Sequence, residues 1–286
     1  MYRYIRRSIF ILAAVVLSGC ATIPILAGRY HNAEEIARTA GFERSYIKSG
    51  NFTLTIYTRI DKPQDPVTIY IEGDGLAYLN RSRVSMDPTP ANPIALKLAA
   101  LDPAPNVAYI ARPGQLCQGE TPNCGESYWT TRRFSEEVIR SVDETVSEIK
   151  RKVGSEELSM VGFSGGAAIA CLVAARRNDV GSIRTVAGNL DPDAVNVFHK
   201  VSKLKGALNP MGVAVRLIGI PQRHFIGGHD KIIPPSITSD FAKKSGDFIK
   251  KTITVVPEAE HNKGWAERWV GLLELSPVKP SEYKDF

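Results

Sequence analysis

The sequence lacks the residue spacings that mark small metal sites. It has four cysteines and five histidines, and none of them form a C-x-x-C or H-x-x-x-H pair. We therefore expect no zinc or other metal site, and no cofactor. Internal repeats and low-complexity tracts are missing as well, which argues against a repeat architecture.

The sequence also lacks a strong charge of one sign. The chain has 36 Lys and Arg against 30 Asp and Glu, and three of the arginines lie in the first 19 residues. The remainder has 33 basic and 30 acidic residues, a net charge near +3, which is too weak and too scattered to predict nucleic-acid binding. Lys200, Lys203 and Lys205 form the one notable basic cluster, which fits a solvated surface or a contact with acidic lipid head groups.

Residues 1–19 have the composition of an export signal. Three arginines precede an apolar stretch, residues 8–17, that is too short to span a membrane comfortably. Residues 17–20, Leu-Ser-Gly-Cys, resemble a bacterial lipobox. An ordinary secretory signal followed by a chance cysteine is the alternative.

The lipobox resemblance implies that the signal is cleaved before Cys20, whose thiol is joined to diacylglycerol and whose new amine is acylated. Several acyl chains, at roughly 0.8 kcal/mol per buried methylene, would hold the protein on a bilayer. Because Ala21 rather than an aspartate follows the cysteine, the resemblance implies the outer membrane, with the domain facing the periplasm. We expect a membrane contact through this anchor; the sequence leaves the oligomeric state open.

The positions of the remaining cysteines are consistent with an exported protein. Cys117 and Cys124 flank six residues of a loop rich in Gly, Pro, Gln and Asn, where a local disulfide is geometrically easy. Outside the cytosol such a pair is normally oxidised, so we predict a Cys117–Cys124 disulfide. Cys171 lies in an apolar segment and is expected to be a small buried side chain.

Strand-like and helical segments alternate along the rest of the chain. About 267 residues remain after the signal, with 43% hydrophobic composition in the whole chain, which suits one sizeable α/β domain. We assign residues 20–45 to a tether or peripheral segment and residues 46–286 to the domain. The predicted strands cover residues 51–58 (an edge strand), 67–71, 106–110, 158–163, 183–187, 223–227 and 251–256, and the predicted helices residues 92–101, 135–152, 236–244 and a last one from 263. This alternation predicts a mostly parallel sheet with helices on both faces. Residues 188–222 leave room for a small cap at most.

The most informative segment is residues 158–171, where an apolar strand pattern is interrupted and continues as a small-residue helix. Residues 162–166 are Gly-Phe-Ser-Gly-Gly, the G-x-S-x-G spacing of a nucleophile elbow. A serine on a sharp strand-to-helix turn needs strained backbone angles, so glycines flank it where side chains would clash. The turn exposes the Ser164 hydroxyl beside the unpaired first amides of the helix. A plain glycine-rich turn is the alternative.

Two further polar segments follow predicted strands. Asp230 comes after the strand at 223–227, and His261 follows the strand at 251–256. In a parallel sheet the functional groups collect at the carboxyl ends of the strands. We therefore expect Ser164, Asp230 and His261 to meet at that edge.

Three features together resemble the α/β-hydrolase family over roughly residues 51–286: the elbow, the Gly-x-x-Asp-x-x-x-Pro segment at 227–234, and a histidine after the last strand. The resemblance implies the α/β-hydrolase fold and a catalytic triad. In that triad Ser164 is the nucleophile, His261 the general base and Asp230 the acid that orients the imidazole.

Some alternatives remain open within this resemblance. Asp191 or Asp193 could supply the acid, and Asp230 could instead cap a turn. His261 could be a hydrogen-bonding residue at a helix entry. His224 lies within a predicted strand and is expected to be structural. His229, next to Asp230, could be a surface or a pocket residue. His31 and His199 have no motif around them.

The resemblance also implies an oxyanion hole built from the backbone amides of Gly165 and Asp74. Many relatives have His-Gly-x at the second position, whereas residues 72–75 here are Glu-Gly-Asp-Gly. A carboxylate beside an oxyanion is unfavourable unless it points away or is paired, and Arg112 is a candidate partner. Glu72 and Asp74 could equally brace the loop by hydrogen bonds.

From these residues we predict a serine hydrolase that cleaves an ester-like acyl bond of a small-molecule or lipid substrate. An acyltransferase would need the same residues. The alternative from another class is a lipid-tethered binding or envelope-assembly protein that keeps a hydrolase fold without turnover.

Overall fold

The computed structural model describes residues 22–117, 124–247 and 250–280. The predicted signal peptide and the lipidation site Cys20 lie outside these residues. No helix within the described ranges is both long enough and apolar enough to cross a membrane.

The described residues form an eight-stranded sheet with the order β1-β2-β4-β3-β5-β6-β7-β8. Strand β2 pairs antiparallel with β1 and with β4, and every pair from β4 to β8 is parallel. The mostly parallel sheet predicted from the sequence is therefore confirmed. The strands are β1 (Glu43–Ser49), β2 (Phe52–Ile60), β3 (Val67–Ile71), β4 (Asn106–Ile110), β5 (Leu158–Phe163), β6 (Val180–Val186), β7 (Gln222–Gly227) and β8 (Ile253–Val256).

The edge strand was predicted wrongly. The segment at 51–58 corresponds to β2, which is the second strand, and the edge is β1. Strand β1 alternates between exposed residues and two buried ones, Ile47 and Ser49. A short strand with charged, solvated positions is typical of a sheet edge, but along the sequence it has the composition of a tether.

Helices cover both faces of the sheet, as predicted. They are α1 (Thr22–Thr39), α2 (Ile94–Leu101), α3 (Glu136–Val153), α4 (Gly165–Ala174), α5 (Pro192–Phe198), α6 (Pro235–Lys244) and α7 (Trp269–Leu273). Helices α3, α4 and α6 contribute to one apolar layer, and α1, α2 and α7 to the other. Neighbouring strand residues alternate between the layers: Ile69 packs in the first and Tyr70 in the second, as the period of a strand requires.

The last predicted helix is shorter than expected. A 3₁₀ turn, Ala266–Arg268, leads into α7, which has only five residues. Trp265 and Trp269 are completely buried there. The two indoles, rather than helix length, attach this end of the chain to the sheet.

The segment between β6 and β7 forms no large lid. It contains α5 and two 3₁₀ helices, Pro210–Gly212 and Ala214–Leu217. The prediction of a small cap at most is therefore confirmed.

Helix α1 runs along the sheet from the carboxyl ends of the parallel strands to their amino ends. Near its start, Arg29 Nη1 donates a hydrogen bond to the Thr89 carbonyl at 3.3 Å, in the loop after β3. Just after its end, the Phe42 ring lies 5.2 Å from the Arg59 guanidinium, which also donates to the carbonyl of Ala104 before β4. The helix therefore begins at the carboxyl edge of the parallel strands and ends at their amino edge.

Candidate active site

Ser164 lies at the turn between the central strand β5 and helix α4. Its backbone has φ 50° and ψ −118°, a strained conformation for a residue with a side chain. Its amide donates to the Val186 carbonyl at 2.9 Å, which fixes the turn against β6. A Cβ on Gly166 would lie 2.2 Å from the Ile71 carbonyl oxygen, so only glycine lets α4 begin this close to β3. The predicted elbow is present and holds the serine at the carboxyl edge of the sheet.

The structure brings the three predicted triad residues together. His261 Nε2 lies 3.0 Å from Ser164 Oγ, and His261 Nδ1 lies 2.9 Å from Asp230 Oδ2. The Asp230 side chain is 1% exposed and that of His261 12%, so the pair is largely shielded from water. The distances are those of a nucleophile, a base and an acid that orients the base.

The Asp230 carboxylate is held in its ionised form. Burial raises the pKa of Asp230, but hydrogen bonds from His261 and from the amides of Ile232 and Ile233 outweigh burial, and the net pKa lies below its usual value. Asp230 Oδ1 accepts from those amides at 2.7 and 3.0 Å, while Oδ2 faces the imidazole. Asp230 therefore caps its own turn and orients His261 at once, so the two predicted alternatives are not exclusive.

The rival acids have other partners. Asp191 Oδ1 caps α5 by accepting from Ala194 N at 3.2 Å, and it also accepts from Asn209 Nδ2 at 2.8 Å. Asp193 pairs with Lys203 at 3.5 Å. Neither carboxylate contacts His261 among the described residues.

The other described histidines are outside this arrangement. His224 is completely buried in β7, where its Nδ1 lies 2.9 Å from Thr185 Oγ1, and burial lowers its pKa to about 4. His199 Nε2 contacts the Ile232 carbonyl at 2.7 Å. His229 and His31 lie on the surface.

Two residues that the sequence did not single out support the His261 loop. Trp265 Nε1 donates to the His261 carbonyl at 3.0 Å, and Asn92 Nδ2 donates to the Asn262 carbonyl at 3.0 Å. The contact with Trp265 joins a side chain to a backbone carbonyl within a non-helical turn, so no sequence pattern pointed to it. Asn92 is 170 residues away along the chain, and nothing in the sequence pointed to it.

The predicted oxyanion loop lies beside the serine. A Cβ on Gly73 would be 3.3 Å from Ser164 Cβ. The Gly73 amide donates to Glu72 Oε1 at 3.0 Å. Within the described residues, no acceptor takes the amide protons of Asp74 or Gly165. Those two amides therefore remain available to an oxyanion.

Glu72 points away from the serine and braces the loop. Its carboxylate is completely buried and accepts hydrogen bonds from the amides of Ala95 and Leu96 in the first turn of α2, and from Tyr109 Oη at 3.3 Å. Burial raises its pKa to about 7 despite these hydrogen bonds. Of the two roles left open for Glu72, these contacts fit the structural one.

Asp74, not Glu72, is the partner of Arg112. Asp74 Oδ1 lies 3.0 Å from Arg112 Nη1, and Oδ2 lies 3.1 Å from Arg133 Nε. A Cβ on Gly165 would be 2.1 Å from Asp74 Oδ1, so the carboxylate sits directly against the start of α4. The two guanidinium groups offset its negative charge there. Arg133 was missed because its position, 59 residues after Asp74, carries no motif.

The predicted Cys117–Cys124 disulfide is not formed, and that prediction is corrected. Both residues are free cysteines, as is the buried Cys171. Cys117 Sγ instead contacts the Gln115 carbonyl at 3.5 Å. Burial raises the pKa of Cys117 to about 11 and that of Cys124 to about 12, so both remain thiols at neutral pH, whereas disulfide exchange needs a thiolate.

No cluster of three or more His, Cys, Asp or Glu side chains in the described parts of the chain is arranged to hold a metal ion.

Comparison with solved structures identifies the architecture. The acylaminoacyl peptidase of Pyrococcus horikoshii superposes with a TM-score of 0.60 at 13% identity, over 86% of this chain and 43% of that one. An esterase from Pyrococcus furiosus gives 0.56 at 15%, over 82% and 90%, and an alpha-beta serine hydrolase homologue from Coxiella burnetii gives 0.51 at 16%, over 81% and 94%. This chain therefore spans less than half the length of the peptidase.

No protein-family model and no curated protein sequence matches the chain. The similar structures share the mostly parallel sheet and its helices, so the chain has the α/β-hydrolase fold, as predicted. At identities below one in five, the similarity concerns the fold.

Proposed function

We propose that this protein is a serine hydrolase that cleaves an ester-like acyl bond through an acyl-enzyme on Ser164. The observation that carries the proposal is the continuous contact from Ser164 Oγ to His261 Nε2 at 3.0 Å and from His261 Nδ1 to Asp230 at 2.9 Å. The solved structures of similar fold include an acylaminoacyl peptidase, an esterase and an alpha-beta serine hydrolase homologue. Their fold and names support a hydrolase reaction.

The chemistry proceeds in two steps. In the first, Ser164 Oγ attacks the acyl carbon while its proton passes to His261 Nε2. The oxyanion accepts hydrogen bonds from the amides of Gly165 and Asp74, and His261 then gives the proton to the departing alcohol. In the second, a water molecule loses its proton to His261 and attacks the acyl carbon; the bond from that carbon to Ser164 Oγ then breaks, His261 returns the proton to Oγ, and the acid leaves. Asp230 holds the Nδ1–H and stabilises the imidazolium in both steps.

We further propose that the protein is lipid-anchored at Cys20 in the bacterial envelope, at the outer membrane facing the periplasm. The support is the lipobox resemblance of residues 17–20 and the export composition before it. The short segment between β6 and β7 favours an esterase for smaller or exposed substrates over a lipase with a large mobile lid.

Active-site labelling tests the proposal. A fluorophosphonate probe reacts only with an activated serine, so we expect the wild type to be labelled and Ser164→Ala to be unlabelled at the same thermal midpoint. Chromogenic esters of increasing acyl length, assayed on the same two proteins, then give the preferred chain length. A wild type that neither labels nor hydrolyses any ester would instead indicate a non-catalytic envelope protein on a hydrolase fold.

A further inference from the structure

Exposed apolar side chains concentrate at the edge of the molecule that carries Ser164. Thirteen large hydrophobic residues are exposed in the described chain, and seven of them lie at residues 78–86, 197–201 and 232, within the connections that follow β3, β6 and β7. These seven are Tyr78, Leu79, Met86, Val197, Phe198, Val201 and Ile232. Single exposed apolar residues are common on soluble proteins, but such a concentration at one edge marks an interaction surface.

Four of the seven lie near the loop that carries Asp230: Val197, Phe198, Val201 and Ile232. Val197 is 78% exposed and Phe198 55%, at the end of α5. The next residue, His199, contacts the Ile232 carbonyl at 2.7 Å, and the Ile232 amide donates to Asp230 at 2.7 Å. The apolar surface is therefore continuous with the loop that holds the triad acid.

The other three, Tyr78, Leu79 and Met86, lie in the loop that follows Asp74, whose amide is one of the two proposed oxyanion donors. Met86 is 89% exposed, in the loop that begins directly after Asp74. Hydrogen bonds fix this loop to the body of the protein: Leu76 N donates to the Pro88 carbonyl at 2.9 Å, and Trp129 Nε1 donates to the Ser85 carbonyl at 3.0 Å. The two apolar clusters thus lie on either side of the serine and are held in place by the fold.

Basic residues alternate with these apolar ones. Residues 76–86 and 197–206 together contain five basic residues and no acidic residue: Arg81, Arg83, Lys200, Lys203 and Lys205. Lys231, beside Ile232, is exposed as well. Three acids border these segments. Asp193 pairs with Lys203 at 3.5 Å, Asp87 accepts hydrogen bonds from Tyr30 Oη and the Thr89 amide, and Asp230 faces His261. Six basic residues against these three acids leave an excess of positive charge. Apolar side chains with a basic surround are typical of surfaces that lie on anionic lipid.

Helix α1 starts at the same edge of the sheet as these apolar and basic residues. Its first residue, Thr22, precedes Arg29 by seven positions, about 10 Å of helix at 1.5 Å per residue. Since Arg29 already contacts the loop after β3 at 3.3 Å, the chain enters the domain from the carboxyl edge. An anchor at Cys20 would therefore hold this same edge near a membrane.

We propose that the face formed by residues 76–86, 197–206 and 231–232, here called the docking face, lies on the surface of an anionic phospholipid bilayer. Its apolar side chains enter the boundary between head groups and acyl chains, and its lysines and arginines contact the lipid phosphates. The mouth of the Ser164 site then opens onto the lipid. Docking itself does not require turnover; that the substrate is an acyl ester of a membrane lipid rests on the function proposed above.

Charge favours this occupant over a second copy of the chain. In a symmetric dimer through the docking face, the six basic residues of one copy, Lys231 included, would face the same six of the other. Like charges at that distance repel, whereas anionic lipid attracts them.

Tryptophan quenching in the full chain tests the proposal. Phe198→Trp and Met86→Trp place reporters on the two clusters, and Leu101→Trp is the matched control, because Leu101 is 42% exposed at the opposite edge of the sheet. Each protein is reconstituted in vesicles of phosphatidylglycerol and phosphatidylcholine with brominated acyl chains. Relative to the parent chain, we expect at least threefold more quenching at 198 and 86 than at 101. Equal quenching at the three positions would overturn the proposal.

Charge variants separate lipid contact from other occupants. Lys200→Glu with Lys205→Glu should lower the ratio of docked to undocked protein about 30-fold. Each lysine near an anionic lipid surface contributes about 1 kcal/mol of binding free energy, and two are removed. Lys243→Glu with Lys244→Glu, at the far end of α6, should leave the ratio unchanged. A concentration-dependent emission change without vesicles would indicate self-association, and one that needs an added acidic protein would indicate a protein partner; either result overturns the proposal.

A water-soluble fluorophosphonate keeps the two proposals distinct. Labelling of Ser164 should be the same in all the docking variants and in the parent. In the Phe198→Trp and Met86→Trp proteins with all lysines intact, absence of quenching with intact labelling refutes docking alone. Quenching without labelling refutes the hydrolase and leaves docking in place.

Discussion

The carboxylate of Asp74 lies 3.0 Å from the buried guanidinium of Arg112 and packs directly against the first glycine of the helix that follows the serine. Arg112 is 4% exposed and Asp74 24%, so the pair is largely shielded. A negative charge beside an oxyanion would oppose catalysis, yet here Arg133 joins Arg112 to offset it. The ion pair also connects the loop that carries the Asp74 amide to the loop that follows β4, where Arg112 lies. This connection holds the Asp74 amide beside Ser164.

Replacing Asp74 with alanine should therefore destabilise the protein and slow the reaction. Arg112 would remain buried without its anion, which should lower the free energy of unfolding by about 3 kcal/mol, measured by urea denaturation. Fluorophosphonate labelling should slow as well, because the amide at 74 loses its support. The control is Glu137→Ala, which breaks an exposed pair with Arg132 and should cost below about 1 kcal/mol. Equal losses in the two variants would contradict this role for Asp74.

The two candidate acids can be separated by matched substitutions. Asp230→Asn should lower kcat about 10⁴-fold, because the amide no longer holds the His261 tautomer that accepts the serine proton. Asp191→Asn should leave kcat within a few-fold, since asparagine can also cap α5 and Asp191 does not contact the imidazole. Steady-state kinetics on one chromogenic ester is the measurement, and a larger loss in the 191 variant would reverse the assignment.

Glu72 should make stability depend on pH near neutrality. Its pKa is raised from 4.5 to about 7 by burial, so the folded chain binds more protons than the unfolded chain between these values. The stability that this group contributes is fully present below about pH 4.5 and is lost as the pH rises through about 7. Relative to Glu72→Gln, the wild type should lose up to about 3 kcal/mol across this interval. Urea unfolding of both proteins at several pH values measures the difference, and parallel curves would refute the expectation.

The free cysteines predict a slow reaction with alkylating reagents. Cys117, Cys124 and Cys171 have pKa values raised by burial, so few thiolates exist at pH 7.5. Iodoacetamide should modify the folded protein slowly and all three residues quickly after denaturation without reductant, as counted by mass spectrometry. If Cys117 and Cys124 stay unmodified in the denatured, unreduced protein, they are joined and the disulfide predicted from the sequence exists after all.

Local patterns predicted the elements that carry their own signal. The elbow needs glycines at fixed positions next to the serine, so its spacing is visible in five consecutive residues. Helix α3 was predicted within one residue at each end because its buried side chains, such as Val142 and Val146, repeat at helical spacing. Strand β1 was missed because an edge strand is half solvated and its polar residues resemble a tether.

The sequence by itself determined the fold class, the serine turn and the order in which serine, acid and histidine occur, because each depends on the residue type at a position or on short-range periodicity. Only the tertiary structure decided which carboxylate faces His261 and that Arg112 pairs with Asp74 while Glu72 caps a helix. It also decided that three distant segments expose apolar and basic side chains near the same edge of the sheet. These contacts join residues tens of positions apart, and their geometry depends on how strands and loops pack, which no local pattern encodes.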